Sequence, residues 1–186
     1  PRARIPKTRG GLSKEKILRY LKRNLVQSKS GPAAGWLFAR EFDTPQQLAD
    51  HTYWHGSGSG VSGGLKPSIT MSEAEVESAG GGGYGERYWG ISVSKKKNLA
   101  SNFTGTSRSG NVYMALLHKD AVVKDMPELS DAADVEEHIV RLWEDGVDAV
   151  WIGDEADEHS EQELVVLNPQ AVWIGRGEHY PVFPKK

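Results

Sequence analysis

The sequence contains no cysteine among its 186 residues, and this absence excludes several kinds of protein. A disulfide framework, a zinc site with cysteine ligands and a cysteine nucleophile all need thiols. No apolar run approaches the roughly 20 residues that span a bilayer, and the N-terminus lacks the apolar stretch of a signal peptide. We therefore expect a soluble protein that acts in a cytoplasm. Because it begins at Pro1, we also expect delivery as part of a longer polypeptide.

Acidic and basic residues nearly balance over the whole chain, but not along it. The formal net charge is −2 at pH 7, whereas residues 1–30 contain ten Lys or Arg and a single Glu, which leaves −11 for the rest. Such a basic segment is suited either to phosphate contacts with nucleic acid or to a linker or helix that docks on the acidic body. A nucleic-acid partner therefore stays open beside a protein partner.

The chain divides into a basic N-terminal segment, residues 1–32, and a body, residues 33–186. The sequence from Ser28 to Pro32 indicates a break between these parts. Before the break, apolar residues at helical spacing predict an amphipathic helix over residues 13–26, with Ser13 as its N-cap. Its apolar face consists of Ile17, Leu18, Leu21 and Leu25.

The body alternates many short strands with few helices. Thr44 followed by Pro45 predicts a helix that runs to about residue 50, and a second helix is predicted over residues 131–145 with Gly146 as its stop. Stretches rich in β-branched or aromatic residues predict strands at residues 53–55, 88–93, 112–118, 147–152, 163–167 and 171–174. This pattern predicts an α+β fold with mainly antiparallel pairing.

Two glycine-rich stretches, residues 56–64 and 79–85, interrupt the strands. The first matches both the dinucleotide-binding fingerprint and the G-x-S-x-G nucleophile motif centred on Ser62. Both motifs need a helix directly afterwards, and Pro67 disfavours one there. A serine hydrolase using Ser62 and a binding module without catalysis stay open as alternatives. The acidic residues between 154 and 163 match neither a calcium loop nor a zinc helix, so we expect no metal.

Three separated motifs together resemble the ADP-ribosyltransferase family. The first strand ends in His55-Gly56, a Ser-x-Ser motif at Ser92 and Ser94 follows, and a Glu-x-Glu motif comes last. In that family a His-Gly or an Arg ends the first strand, a Ser-x-Ser or a tyrosine follows, and a glutamate comes last. The resemblance covers roughly residues 50–175. It implies an ADP-ribosyltransferase-like split antiparallel β-sandwich with flanking helices, and it makes residues 33–186 the catalytic domain.

The resemblance implies a mono-ADP-ribosyltransferase, which cleaves NAD at the nicotinamide–ribose bond and transfers ADP-ribose to a macromolecular acceptor. Cleavage leaves an oxocarbenium-like cation on the ribose, so a fixed carboxylate beside it stabilises the transition state. Glu163 is the expected catalytic carboxylate, and the resemblance implies that Ser92 supports it by hydrogen bonding. Glu161 lies two residues earlier, and in this family a Glu-x-Glu motif at this place often accompanies an arginine acceptor. A carboxylate matches a guanidinium in charge and shape, so the resemblance implies arginine as the acceptor.

The resemblance also implies the residues that bind NAD as co-substrate. His55 contacts the ribose, and the backbone of Gly56 approaches the nicotinamide amide closely because no Cβ intervenes. Phe103 is placed to stack on the nicotinamide ring. The expected NAD-binding set also includes Ser57, Ser92 and Ser94. His55 is typical of the diphtheria-toxin-like branch and Ser-x-Ser of the cholera-toxin-like branch, so the implied setting is a toxin module or a phage-borne effector.

Overall fold

The structure, a computed structural model, describes residues 9–23, 28–30, 40–57, 90–102, 104, 111–126, 135–152 and 163–176. Within these ranges the helices are α1 (Lys14–Arg23), α2 (Pro45–Asp50), α3 (Lys97–Asn102) and α4 (Val135–Glu144). The strands are β1 (Ser28–Ser30), β2 (Thr52–Ser57), β3 (Ile91–Val93), β4 (Asn111–Leu117), β5 (Val123–Asp125), β6 (Ala149–Ile152), β7 (Glu163–Val166) and β8 (Val172–Arg176). None of the described helices has the length and apolar character needed to cross a membrane.

The described strands form two four-stranded sheets. The first has the order β1-β8-β4-β2 and the second the order β3-β7-β6-β5. Four of the pairs are antiparallel, whereas β1 with β8 and β5 with β6 are parallel. The predicted α+β class with mainly antiparallel pairing is therefore confirmed.

An apolar core fills the space between the two sheets. Tyr53, Ala115 and Ile174 enter it from the first sheet, and Val93 and Leu164 enter it from the second. Because side chains alternate along a strand, the intervening residues lie on the outer faces. On the outer face of the second sheet, a further core receives the apolar sides of α1 and α4.

Helix α1 packs against α4 and is joined to the body by a buried ion pair. Ile17 and Leu21 are buried in the same core as Trp143. Ahead of the helix, the Arg9 guanidinium lies 4.4 Å from the ring centroid of Trp143 and pairs with Asp148. The described part of the basic segment therefore docks on the body, which is one of the arrangements that its sequence allows. The boundary at residue 32 stays a prediction.

The helix ends follow the signals in the sequence. Thr44 caps α2, because its Oγ1 accepts a hydrogen bond from the backbone N–H of Gln47 at 3.1 Å, and Pro45 is the first helical residue. After α4, Gly146 adopts a φ of +79°, which a Cβ would disfavour. Helix α1 begins and ends inside the range of residues 13–26 that the periodicity predicts.

Two short strands differ from the sequence prediction. Residues 28–30, interpreted from the sequence as part of a break, form β1 alongside β8. Strand β5 forms an edge of the second sheet, where no strand is predicted. Both are three-residue edge strands that hydrogen-bond through their backbone to one neighbour. Such strands need no alternation of apolar side chains, so no sequence pattern predicts them.

Candidate active site

The two sheets meet at a single backbone bridge. The N–H of Trp54 in β2 donates to the carbonyl of Ser94, just beyond β3, at 2.7 Å, and the N–H of Ser94 donates to the carbonyl of Trp54 at 2.8 Å. Within the residues that the structure describes, no other backbone pairing joins the sheets. Among the described strands, β2 and β3 are edge strands of their sheets, and the described residues form no further ladder between them beyond this bridge. We call the opening between them, from His55 and Gly56 on one side to Ser92 on the other, the split.

The ring of His55 occupies the place where the ladder between β2 and β3 would continue. Its Nδ1 lies 2.7 Å from the carbonyl oxygen of Ser92. In an antiparallel ladder, the next hydrogen-bonded pair after Trp54 and Ser94 would join Gly56 to Ser92. His55 therefore takes the acceptor that the N–H of Gly56 would use, and the two strands do not close.

The peptide edge of Gly56 faces the split. The N–H of Leu117 donates to the carbonyl of His51 at 2.9 Å, so His51 directs its carbonyl toward β4. Because backbone groups alternate in direction, the odd-numbered residues of β2 hydrogen-bond to β4. Trp54 bonds in the other direction, toward Ser94. Because backbone groups alternate in direction along a strand, the N–H and C=O of Gly56 point as those of Trp54 do. Gly56 therefore contributes one backbone donor and one backbone acceptor to the split.

The contact with Ser92 determines the protonation pattern of His55. A carbonyl oxygen only accepts, so Nδ1 carries the proton of the neutral ring and Nε2 is left as an acceptor. Burial lowers the pKa of His55, and the hydrogen bond to the Ser92 carbonyl opposes this shift without cancelling it. His55 is therefore neutral at neutral pH, with an acceptor nitrogen that suits a hydroxyl group.

Glu163 is the first residue of β7, which pairs with β3 on the side away from the split. The register pairs Val93 with Leu164, so Glu163 lies opposite Ser94 at the end of the ladder. On its other side Glu163 pairs with Ile152 of β6. Glu163 is half-buried and its backbone lies between two neighbouring strands. A carboxylate in this place is held on a rigid element, as a catalytic carboxylate must be.

The predicted side chains lie on two different sheet faces. Ser92 and Glu163 alternate with Val93 and Leu164, which enter the core between the sheets, so Ser92 and Glu163 share the outer face of the second sheet. His55 lies on the inner face of the first sheet. The structure thus brings Ser92 and Glu163 to one face and joins His55 to them through the main chain of Ser92.

Ser94 and Ser57 have structural surroundings that the sequence does not indicate. Ser94 is buried, and its Oγ accepts a hydrogen bond from the N–H of Lys96 at 3.1 Å in the turn before α3. Ser57 is buried at the end of β2, opposite Asn111 of β4. Their predicted contacts with NAD stay predictions. Glu161, Phe103 and the alternative nucleophile Ser62 lie outside the described residues.

Three further residues on or beside β3 and β4 carry no role predicted from the sequence. Tyr113 of β4 pairs with His55 and is buried between the sheets. Gly90 precedes β3, and a Cβ there would lie 2.5 Å from the carbonyl oxygen of Val166. Lys95 follows the bridge residue Ser94. Its only signal in the sequence is the run of three lysines after the Ser-x-Ser motif, which is more typical of a solvated surface.

No cluster of three or more metal-ligating side chains lies in the described part of the chain. Comparison of the chain with protein-family models, with curated proteins and with solved structures finds no match.

Proposed function

We propose that this chain is a mono-ADP-ribosyltransferase that uses NAD and is built on a split antiparallel β-sandwich. The observation that carries the proposal is the split between β2 and β3, which has His55 and Gly56 on one side and Ser92 on the other, with Glu163 one strand further. These residues come from three distant segments of the sequence. They are also the residues for which the family resemblance implies NAD chemistry.

The peptide edge of Gly56 supports a nicotinamide site. The carboxamide of nicotinamide presents an N–H donor and a C=O acceptor side by side, and a single exposed peptide edge offers the complementary pair. Glycine at this position lets the ligand approach the backbone without meeting a Cβ. In this arrangement Nε2 of His55 accepts a hydrogen bond from a ribose hydroxyl, and this role requires the neutral ring that burial favours.

Glu163 supplies the electrostatic part of the reaction. The bond between ribose C1′ and the pyridinium nitrogen breaks, its electron pair goes to that nitrogen, and neutral nicotinamide leaves. The ribose is left with oxocarbenium character, which the ionised carboxylate of Glu163 stabilises. A nucleophile of the acceptor then forms a new bond to C1′ and gives up its proton. No step in this sequence requires a metal ion.

We propose an arginine side chain of a protein as the acceptor. Glu161 stands two residues before Glu163 in the sequence, and a carboxylate there pairs with a guanidinium by charge and fork geometry. The basic N-terminal segment makes nucleic acid the other acceptor to be tested. The proposed setting is a host cytoplasm, which the chain reaches as a toxin module or a phage-borne effector.

Nicotinamide release from NAD tests this function directly. We compare the native chain with Glu163→Gln and with Glu144→Gln, a matched change at an exposed glutamate of α4. We expect Glu163→Gln to lower release by about 100-fold or more, the cost of losing a principal electrostatic contact in a transition state, and Glu144→Gln to leave it unchanged.

The acceptor is identified in the same assay with NAD labelled in its adenylate part and a cell lysate. Label that protease removes and nuclease does not supports a protein acceptor, and the reverse result supports nucleic acid. A folded chain that neither binds NAD nor releases nicotinamide would rule out the transferase and return attention to Ser62.

A further inference from the structure

The ammonium of Lys95 makes an unusual set of contacts beside the bridge. Lys95 directly follows Ser94, and its side chain returns across the start of β2. Its Nζ donates to the carbonyl of Thr52 at 3.2 Å and to that of Asp50, and lies 3.5 Å from the carbonyl oxygen of Ala49. The carbonyls of Ala49 and Asp50 are at the end of α2, where helix carbonyls lack partners within the helix.

The same ammonium also contacts the residue next to the bridge. Its Nζ lies 3.9 Å from the ring centroid of Tyr53, where a cation is attracted by the electron-rich face of the ring. Tyr53 is buried in the core between the sheets and directly precedes Trp54. Lys95 therefore holds the chain on the N-terminal side of Trp54, while its own backbone continues from Ser94.

We propose that Lys95 is a positioning residue that keeps the bridge between Trp54 and Ser94 closed. In the part of the chain that the structure describes, the bridge is an isolated pair of backbone hydrogen bonds with no further ladder on the side of the split. Such isolated pairs open locally with ease. The hydrogen bonds from Lys95 carry a full charge, which makes them stronger than bonds between neutral groups. Lys95 thus acts as a second link between β2 and the end of β3.

The consequence is that the split begins at His55. With the bridge closed, the next residues of β2 have a fixed separation from Ser92, and the peptide edge of Gly56 has a fixed position. A binding site needs such positions held to a fraction of an ångström. Lys95 does not touch the ligand in this proposal, because its ammonium is turned toward α2 and Tyr53.

The structural part of this inference stands without the proposed function, whereas its effect on NAD rests on that function. Amide hydrogen exchange at Trp54 and Ser94, measured without NAD, reports opening of the bridge. We compare the native chain with Lys95→Met, with Lys95→Arg and with Lys96→Met, a matched change at the neighbouring exposed lysine.

We expect Lys95→Met to speed exchange at both bridge amides by about tenfold or more, the effect of removing hydrogen bonds from a charged donor. Lys95→Arg keeps the charge and the donors, so exchange stays slow, and Lys96→Met behaves as the native chain does. Exchange at Ala115 and Val165, in the centres of the two sheets, stays slow in all variants. In the NAD assay, Lys95→Met raises KM more than it lowers kcat, because the chemical groups remain in place.

The proposal is overturned if the amides of Trp54 and Ser94 exchange as slowly in Lys95→Met as in the native chain. It is also overturned if exchange at Ala115 and Val165 speeds up by the same factor as at the bridge, because that result means general destabilisation. Should Lys95→Met fail to fold, Lys95→Gln removes the charge and keeps a donor, and the same criteria apply. Faster exchange at the bridge alone, in a chain whose native form releases no nicotinamide, upholds the role of Lys95 and rejects the proposed function.

Discussion

The Nδ1 of His55 lies 2.7 Å from the carbonyl oxygen of Ser92, and this contact has two effects. It uses the acceptor that would continue the ladder between β2 and β3, which leaves the peptide edge of Gly56 facing the split. It also places the ring proton on Nδ1, which leaves Nε2 as an acceptor. One hydrogen bond therefore both opens the site and prepares the ring that lines it.

Replacing His55 by Asn and by Gln separates these two effects. An Asn amide nitrogen stands close to the position of Nδ1 and is able to donate to Ser92, whereas a Gln amide reaches toward the position of Nε2. We expect His55→Asn to keep the native chemical shift of Gly56 and to lose about tenfold or more in NAD affinity. We expect His55→Gln to shift the Gly56 amide signal. Equal effects of both variants on both measurements would contradict the two roles.

The lowered pKa of His55 predicts that stability falls in mild acid. Its pKa in the folded chain lies below the ordinary value of 6.5, so the unfolded chain binds the proton first as the pH falls. Stability is therefore full above about pH 6.5 and is lost between that pH and the folded pKa, with a slope of at most about 1.4 kcal/mol per pH unit for this residue.

His51 contributes in the same direction, because burial lowers its pKa as well. Urea unfolding at several pH values, compared between the native chain, His55→Asn and His51→Asn, assigns the two contributions. We expect each variant to lose part of the pH dependence. NAD binding should also weaken as the pH falls through the folded pKa of His55, since a protonated Nε2 no longer accepts. A pH dependence unchanged in both variants would show that other groups cause it.

The ion pair between Arg9 and Asp148 predicts that the N-terminal segment stabilises the body. Both side chains are almost fully buried, and Asp148 also accepts hydrogen bonds from Asn168 at 2.8 Å and from the N–H of Val122 at 2.9 Å. Arg9→Met leaves that carboxylate buried without its cation, so we expect a loss of about 3–5 kcal/mol in the free energy of unfolding.

Arg141→Met is the matched control for this prediction. Arg141 is exposed and its nitrogen lies 3.8 Å from Glu137 on the same helix, so we expect a change of about 0.5 kcal/mol or less. Asp148→Asn added to Arg9→Met should recover part of the loss, because the amide carries no charge. Denaturant unfolding of the four chains measures this, and a loss in Arg9→Met no larger than in Arg141→Met would count against the buried pair.

Gly90 predicts a steric limit on how β3 meets β7. An added Cβ would lie 2.5 Å from both the carbonyl oxygen of Val166 and the Cγ1 of Val165. Because backbone cannot move aside as a flexible side chain does, we expect Gly90→Ala to cost about 1–3 kcal/mol and to displace Ser92 relative to Glu163. Gly10→Ala is the control, since its Cβ would have no atom within 4 Å. Thermal unfolding of both variants checks this, and equal melting temperatures would contradict it.

Local signals in the sequence are sufficient for most of the secondary structure. Thr44 and Pro45 predict the start of α2, and Gly146 predicts the end of α4. Stretches rich in β-branched or aromatic residues predict β2, β3, β4, β6, β7 and β8, because each of these signals acts within a few residues. No local signal predicts β1 and β5, because their pairing depends on a distant neighbour rather than on their own side chains. The contacts of Lys95 with α2 and Tyr53 likewise depend on the tertiary structure, and no local pattern indicates them.

The sequence by itself determined the α+β class and the mainly antiparallel pairing, because these follow from composition and periodicity. The candidate site residues are expected from motifs that resemble those of a known family. Only the tertiary structure decided that β2 and β3 meet at one bridge and then separate, and that Arg9 is buried against Asp148. The contact of His55 with the Ser92 carbonyl, and the position of Glu163 on β7 next to β3, also depend on the tertiary structure alone. These relationships join residues tens of positions apart in the chain, and they depend on how two sheets pack rather than on any local preference.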